Sequence, residues 1–261
     1  MTQIIFVLVS FLASVIGCIC GIGGGVIIKP VLDAFGLYSV STISFMSGCI
    51  VLAMTTYSVV KAKLAKESVI EKGTGTWLGL GAAGGGLLGK QLFDLIKALF
   101  ENADKVGAVQ AAALLVVTLG TTIYTVNKAK IKTLKVKHPL VCVCIGLTLG
   151  VLSSFLGIGG GPINLVVLYF FFSMETKVAA QNSLYIILFS QLASLLFTLL
   201  SGKVPEFPVG LFVCMVGCGI LGGIVGRRIN KKIESQTVSK LFVGLMIVIM
   251  GICCYNFFRY C

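Results

Sequence analysis

The string Gly-Ile-Gly-Gly-Gly occurs twice, at Gly21–Gly25 and Gly157–Gly161, and each time it interrupts a long apolar stretch. A run of glycines breaks a helix because glycine loses more backbone freedom on ordering than any other residue. At membrane depth such unwound backbone survives only where it is buried in protein or lines a cavity. Matching breaks in the two halves of a hydrophobic chain are therefore the best sequence-level pointer to the substrate site of a transporter.

The setting is a membrane rather than a soluble core. Hydrophobic residues make up 57% of the chain and charged residues 11%, where a soluble domain has roughly a quarter charged. Apolar stretches lie near 3–20, 38–60, 74–93, 106–126, 139–156, 178–200, 207–226 and 238–258, each close to the ~20 residues that cross a ~30 Å hydrocarbon core. No basic residue precedes the first stretch and no small-residue cleavage site follows it, so it is expected to remain as a helix rather than serve as a cleaved leader. Ten cysteines are present. Nearly all sit inside apolar stretches, and Cys18/Cys20 and Cys142/Cys144 are spaced two apart with no histidine cluster, so they read as small packing residues rather than a metal or redox site. The lone His138 reads as a solvated loop residue.

The two glycine strings are offset by 136 positions, and the likeness continues beyond them. Gly85-Gly86-Leu87-Leu88-Gly89-Lys90 returns as Gly222-Gly223-Ile224-Val225-Gly226-Arg227, and Leu119-Gly120 with Tyr124 returns as Met250-Gly251 with Tyr255. The expected organisation is a first membrane repeat over 1–126, a basic linker over 127–138 and a second repeat over 139–261. The linker carries Lys128, Lys130, Lys132, Lys135 and Lys137 without an acid, which marks it as cytoplasmic by the positive-inside rule. The loops around Lys61–Lys72 and Arg227–Lys240 are also net basic. By contrast, Lys90, Lys97 and Lys105 are balanced by Asp94, Glu101 and Asp104, and Lys203 by Glu206.

Counting crossings from the linker forces 139–174 to enter and leave by one face, as a hairpin with its tip at Gly157–Gly161. Its return arm spans only about 18 Å at 1.5 Å per residue, a re-entrant half-helix. The same construction in the first half puts both termini outside and inverts the two halves. The fold class is thus an all-α polytopic protein of two inverted-topology repeats, each with four membrane helices plus a half-helix after its GIGGG break. Because 3–20 and 139–156 are nearly full-length, the tips are expected beyond the midplane unless those helices tilt.

Each half-helix starts just after its glycines, so its free N–H groups and positive dipole end point inward, the form of an anion site. Gly21, Gly23, Gly24 and Gly25 with Gly157, Gly159, Gly160 and Gly161 are the candidate backbone cradle. The competing reading is close helix packing, which is expected for Gly84–Gly86 and Gly222–Gly223. Neutral donors nearby are Gln181, Asn182 and Ser183, with Ser41, Thr42, Ser44 and Ser47 in the matching part of the first half. Ser153, Ser154 and Asn164 flank the second tip. Helix capping and interhelical hydrogen bonds account equally well for any one of them. Lys29 and Asp33, four apart on the first half-helix, are either a structural ion pair or a functional one in which Lys29 balances the anion and Asp33 is the coupling candidate. The second half has Leu165 and Tyr169 there.

Gly21-Ile22-Gly23-Gly24-Gly25 followed by Pro30, duplicated in a chain with a basic central loop, resembles the sulfite exporter TauE/SafE family over essentially its whole length. The resemblance implies export of small sulfur-containing anions across the cytoplasmic membrane. Two departures stand out. Pro162 follows the second glycines directly, with Val166 where the first copy has Pro30, and the Thr-Ser pair usual in the following helix is Asn182-Ser183. The second half-helix is accordingly expected to start one residue early.

The expected function is a secondary transporter exporting sulfite, thiosulfate or an organosulfonate by rocking inverted repeats about the paired tips. An anion channel on the same scaffold and a transporter of another small organic anion stay open as alternatives. Expected partners are the small anionic substrate, membrane lipid and a proton or sodium as coupling ion, with no cofactor and no metal. A membrane-embedded enzyme would need a nucleophile or metal cluster, and no HExxH, Gly-x-Ser-x-Gly or acidic pair occurs. The net charge of +12 sits in the basic loops, which suits membrane orientation and anionic lipid rather than nucleic acid.

Overall fold

The computed structural model describes residues 2–66, 73–100 and 105–260. Glu67, Glu71, Lys72, Glu101 and Asp104, which entered the charge count, lie outside the described residues, as does Cys261. Ten described α-helices fall into two runs of five. The first comprises α1 (Thr2–Cys20), α2 (Gly25–Phe35), α3 (Val40–Leu64), α4 (Thr74–Leu99) and α5 (Lys105–Asn127). The second comprises α6 (Pro139–Phe155), α7 (Pro162–Phe172), α8 (Thr176–Leu200), α9 (Val209–Lys232) and α10 (Ser235–Tyr260).

Six helices, α1, α3, α5, α8, α9 and α10, are long and apolar enough to cross a membrane. Two of the eight expected crossings differ from that pattern. The α4 helix has the length at 26 residues, but its many glycines contribute almost nothing to its hydropathy. The α6 helix has the hydropathy but only 17 residues.

The main helix pairings recur when the two runs are exchanged, although α1 packs on α2 far more than α6 does on α7. The α4 helix lies on α6 and α8 as α9 lies on α1 and α3, and α2 lies on α10 as α7 lies on α5. Two counterpart pairs run antiparallel. Ser58 of α3 shares a cavity with Leu184 of α8 while Ser44 shares another with Gln191, and in the α5 and α10 pair Gly107 packs beside Tyr260 while Lys128 reaches Ser239. Glycines bring the backbones together: a Cβ at Gly85 would stand 2.1 Å from the Leu147 carbonyl oxygen, and one at Gly226 would stand 2.4 Å from that of Val15. Close approach of this kind is what small residues provide between membrane helices, where dispersion replaces the hydrophobic drive. Gly86 and Gly222 have such neighbours too, and Gly223 packs against the Met54 side chain, but Gly84 has none within 4 Å, so the packing expected of that run omits its first glycine.

Both short helices return to the face from which their hairpins enter. In the first hairpin the Phe35 ring at the end of α2 meets Phe6 of α1 at 5.3 Å between centroids. In the second, the linker caps the end of α7, with Leu134 N–H donating to the Phe170 carbonyl at 2.7 Å and Val136 N–H to Phe171 at 2.9 Å. One face of the bundle gathers the ends of α3, α5 and α9 with the linker and the starts of α8 and α10, and so carries Lys61, Lys63, Lys66, the linker lysines, Arg227, Arg228, Lys231 and Lys232. The opposite face holds the more balanced Asp94, Lys97, Lys203, Glu206 and Arg259.

Candidate functional site

The two glycine tips touch, but they overlap rather than meet end to end. A Cβ at Gly25 would lie 2.1 Å from the Ile158 carbonyl oxygen, and one at Gly23 would lie 3.6 Å from that of Gly159. Beyond this contact the first tip continues toward the lysine-rich face, where Gly21 packs on Ala180 of α8, and the second continues the other way, where Gly157 packs on Ser44 of α3. Nearly full-length α1 and α6 carry the tips past each other, as their lengths lead one to expect.

Backbone conformation explains the glycines individually. Gly21 and Gly23 have φ of 73°, and their counterparts Gly157 and Gly159 have φ of 65° and 73°, a region that side-chain-bearing residues enter only at a cost of order 1–2 kcal/mol. The copies then diverge. Gly24 is already helical and caps α2, which starts at Gly25, whereas Gly160 has φ of 131° and Gly161 is extended ahead of Pro162. The second half-helix thus begins at the counterpart of Val26, one residue late rather than one early. Proline is the cause: it suits the first helical position but excludes the helical region for the residue before it.

Polar groups without partners gather around these tips. Ser14 and Ser44 hydroxyls and Asn164 Oδ1 are buried with no hydrogen bond, as is the Ser47 hydroxyl on α3, and buried polar atoms in native proteins are otherwise almost always satisfied. Asn164 Nδ2 donates to Ser183 Oγ at 3.3 Å, linking α7 to α8 behind the second tip. Asn182 Nδ2 bonds its own helix at the Val178 carbonyl. Lys29 and Asp33 are 3% and 5% exposed and pair at 2.5 Å. The Lys29 stem reaches the second tip, its Cε standing 3.3 Å from where a Cβ on Gly157 would be. Of the other expected residues, Gln181 lines a cavity beside the first tip, but Ser41 and Thr42 are not brought to the tips. Ser41 accepts from Lys97 Nζ at 2.8 Å, and Thr42 serves the start of α3, its N–H on Ser39 Oγ and its hydroxyl on the Glu206 carbonyl.

Two small cavities flank the overlap, one toward each face. The first, of about 50 Å³, is lined by Cys18, Ser58, Gln181, Arg227, Asn230 and Lys231 on the lysine-rich side. The second, 20 Å³, lies on the opposite side against Gly157, with Ser44, Ser154, Gln191, Ser194 and Lys90. They are counterparts: Cys18 matches Ser154, Ser58 matches Ser194 and Arg227 matches Lys90 in the repeat. Both cations are anchored, Arg227 Nη1 on the Ser58 carbonyl at 3.1 Å and Lys90 Nζ 3.5 Å from Asp94. The paired cation was visible in the sequence as the Lys90/Arg227 match closing the second repeated string. Gln191 carried no such signal, since its counterpart is Thr55, which bonds its own helix.

This arrangement brings paired half-helices, unsatisfied buried hydroxyls and a polar cavity on each side together at the centre of the bundle. Comparison with known proteins agrees with a transport role. Residues 6–252 match the family model described as Sulfite exporter TauE/SafE. The chain is 23% identical over 271 residues to the probable membrane transporter protein YunE of Bacillus subtilis (strain 168), covering 96% of each. It is also 23% identical to the probable membrane transporter protein MamO of Paramagnetospirillum magneticum (strain ATCC 700264 / AMB-1), over 93% of this chain and 43% of that one. No solved structure matches the chain.

Proposed function

From the premise that the chain belongs to the TauE/SafE sulfite exporter family, we propose that it is a secondary transporter exporting a small sulfur-containing anion, sulfite, thiosulfate or an organosulfonate, across the cytoplasmic membrane. The observation that carries this reading is the overlap of the two glycine tips amid unpartnered buried hydroxyls. Helix N-termini and backbone N–H groups stabilise negative charge, and uncharged donors let an anion leave again.

In this reading 1–126 and 139–261 are inverted repeats joined by the linker 127–138, which the antiparallel pairing of α3 with α8 and of α5 with α10 supports. The lysine-rich face is cytoplasmic and both termini are outside, in keeping with the positive-inside rule. An anion enters the cytoplasmic cavity beside Arg227 and Gln181, passes to the backbone of Gly21–Gly25 and Gly157–Gly161, and leaves past Ser44, Gln191 and Lys90. Asn164, donating to Ser183, holds the second tip in place. The tip contact closes both cavities to one another, and rocking of the repeats opens one at a time. Lys29 beside Gly157 balances the anion, while Asp33 is the candidate for coupling to a proton or sodium.

The test is thermal stabilisation of the purified chain by sulfite, thiosulfate, sulfate, sulfoacetate, phosphate, chloride and a carboxylate, because a ligand that binds the folded state alone stabilises it by mass action. Stabilisation by a sulfur oxyanion that is lost in Gly159→Val is expected. Equal response to every anion, or to none, contradicts the assignment.

A further inference from the structure

A separate cavity with a few polar groups in a mostly apolar lining opens on the lysine-rich face, between the end of α5, the side of α7 and the first turns of α8 and α10. Leu165, Val166, Met174, Ala179 and Phe242 form its apolar wall, and Tyr124, Lys128, Thr176 and Ser239 supply the polar groups. Lys128 Nζ donates to Thr176 Oγ1 at 3.4 Å and to Ser239 Oγ at 3.2 Å, and stands 5.4 Å from the centroid of the Tyr169 ring. No described carboxylate lies within ion-pair distance of it.

The donor count is unbalanced. An ammonium carries three N–H donors, of which two are used. The two hydroxyls that accept them are 3.3 Å apart, so one can donate to the other and one O–H remains. Tyr124 Oη is buried without a partner. The cavity thus collects three donors without a protein partner, one of them on a cation that burial pushes below the usual lysine range, and no described carboxylate to neutralise that cation. Water would satisfy the donors but leave the ammonium uncompensated. A tetrahedral oxyanion does both, since charge-assisted hydrogen bonds are the strong ones. Lys130, Lys132, Lys135 and Lys137 follow directly in the linker, and such segments gather anionic headgroups at a membrane surface.

We propose that this cavity is a phosphate-type oxyanion site, distinct from the glycine tips, in which Lys128, Tyr124 and the Thr176 and Ser239 hydroxyls hold the headgroup phosphate of an anionic phospholipid or a free phosphate ion. Lys128 follows α5 at the start of the linker, whereas Thr176 and Ser239 belong to the second run of helices. A bound phosphate therefore ties the two runs together on this face.

The full chain in neutral detergent is titrated with phosphatidylglycerol, with phosphatidylcholine and with inorganic phosphate, following thermal unfolding. Phosphatidylglycerol or phosphate stabilises the protein and phosphatidylcholine does not; response to the lipid alone assigns a headgroup, and response to the ion assigns a free anion. Lys128→Gln and Tyr124→Phe each weaken that response at least tenfold in midpoint concentration, whereas Lys128→Arg retains it. Tyr124→Phe keeps the ring that packs edge-on against Tyr169 and Phe170, so folding is not at stake. Lys130→Gln, which removes an exposed charge next door, leaves the response unchanged. Absence of stabilisation by both ligands, or an equal loss in Lys130→Gln, overturns the site.

Discussion

Replacing Gly25 by alanine tests the tip contact with a single methyl group. Gly25 is helical, so alanine meets no backbone strain there and gains about 0.5–1 kcal/mol of helix preference over glycine. The added Cβ, however, would stand 2.1 Å from the Ile158 carbonyl oxygen and 2.9 Å from a Val51 methyl. Carbon to carbonyl-oxygen contacts settle near 3.3 Å or above, roughly. The tips must therefore part by about 1.2 Å, and because the obstacle is backbone, no side-chain rotation relieves it. Forced overpacking of this kind costs about 1–3 kcal/mol, which outweighs the helix gain. An N–H group set about 2.9 Å from an anion is drawn to about 4 Å, no longer a hydrogen bond, and each such loss to a charged acceptor is worth about 1.5–3 kcal/mol. Gly25→Ala should lose affinity for the stabilising anion by 10- to 100-fold together with modest thermal stability. Gly84→Ala is the control, with nothing within 4 Å of its Cβ, and should be neutral or slightly stabilising with unchanged binding. Titration of both variants by thermal unfolding decides the matter, and Gly25→Ala binding with wild-type affinity refutes the idea that the tip contact forms the site.

Other outcomes follow from the same geometry. Gly159→Val sets a branched side chain at φ of 73° and 2.5 Å from Val51, and should abolish anion binding while circular dichroism still reports a folded helical protein. Lys29→Ala should weaken binding of a dianion more than of a monoanion; equal loss for both makes the Lys29–Asp33 pair structural. Gly85→Ala drives a methyl to 2.1 Å from the Leu147 carbonyl, and should lower the unfolding temperature with little change in affinity per folded molecule, measured by isothermal titration. Ser44→Ala removes an unpartnered hydroxyl beside Gly157, and should leave stability unchanged or raised while weakening anion binding severalfold.

Much of this architecture is legible in the sequence because glycine has few uses in a membrane helix. The two GIGGG strings mark the turns that need positive φ, and the lysines of 128–137 mark one face. The late start of α7 shows how one residue redirects a local rule: Pro162 suggests an early helix, yet it holds Gly161 extended. Ser41 and Thr42 sit at the right place in the repeat but on the mouth side of α3, where Lys97 and the 206 carbonyl engage them. Which side of a buried helix faces a cavity depends on its neighbours, and periodicity cannot supply that when every side is apolar. Gln191 is hidden for the same reason. The overlap of the tips is a tertiary fact, foreshadowed only by the length of α1 and α6.

The most direct test of the central claim is counterflow of radiolabelled sulfite in proteoliposomes loaded with unlabelled sulfite. The account predicts saturable accumulation by the wild-type chain, competed by thiosulfate or an organosulfonate and lost in Gly159→Val. Uptake that rises linearly with concentration without accumulation, or accumulation that persists unchanged in Gly159→Val, would contradict a transporter working through the paired glycine tips.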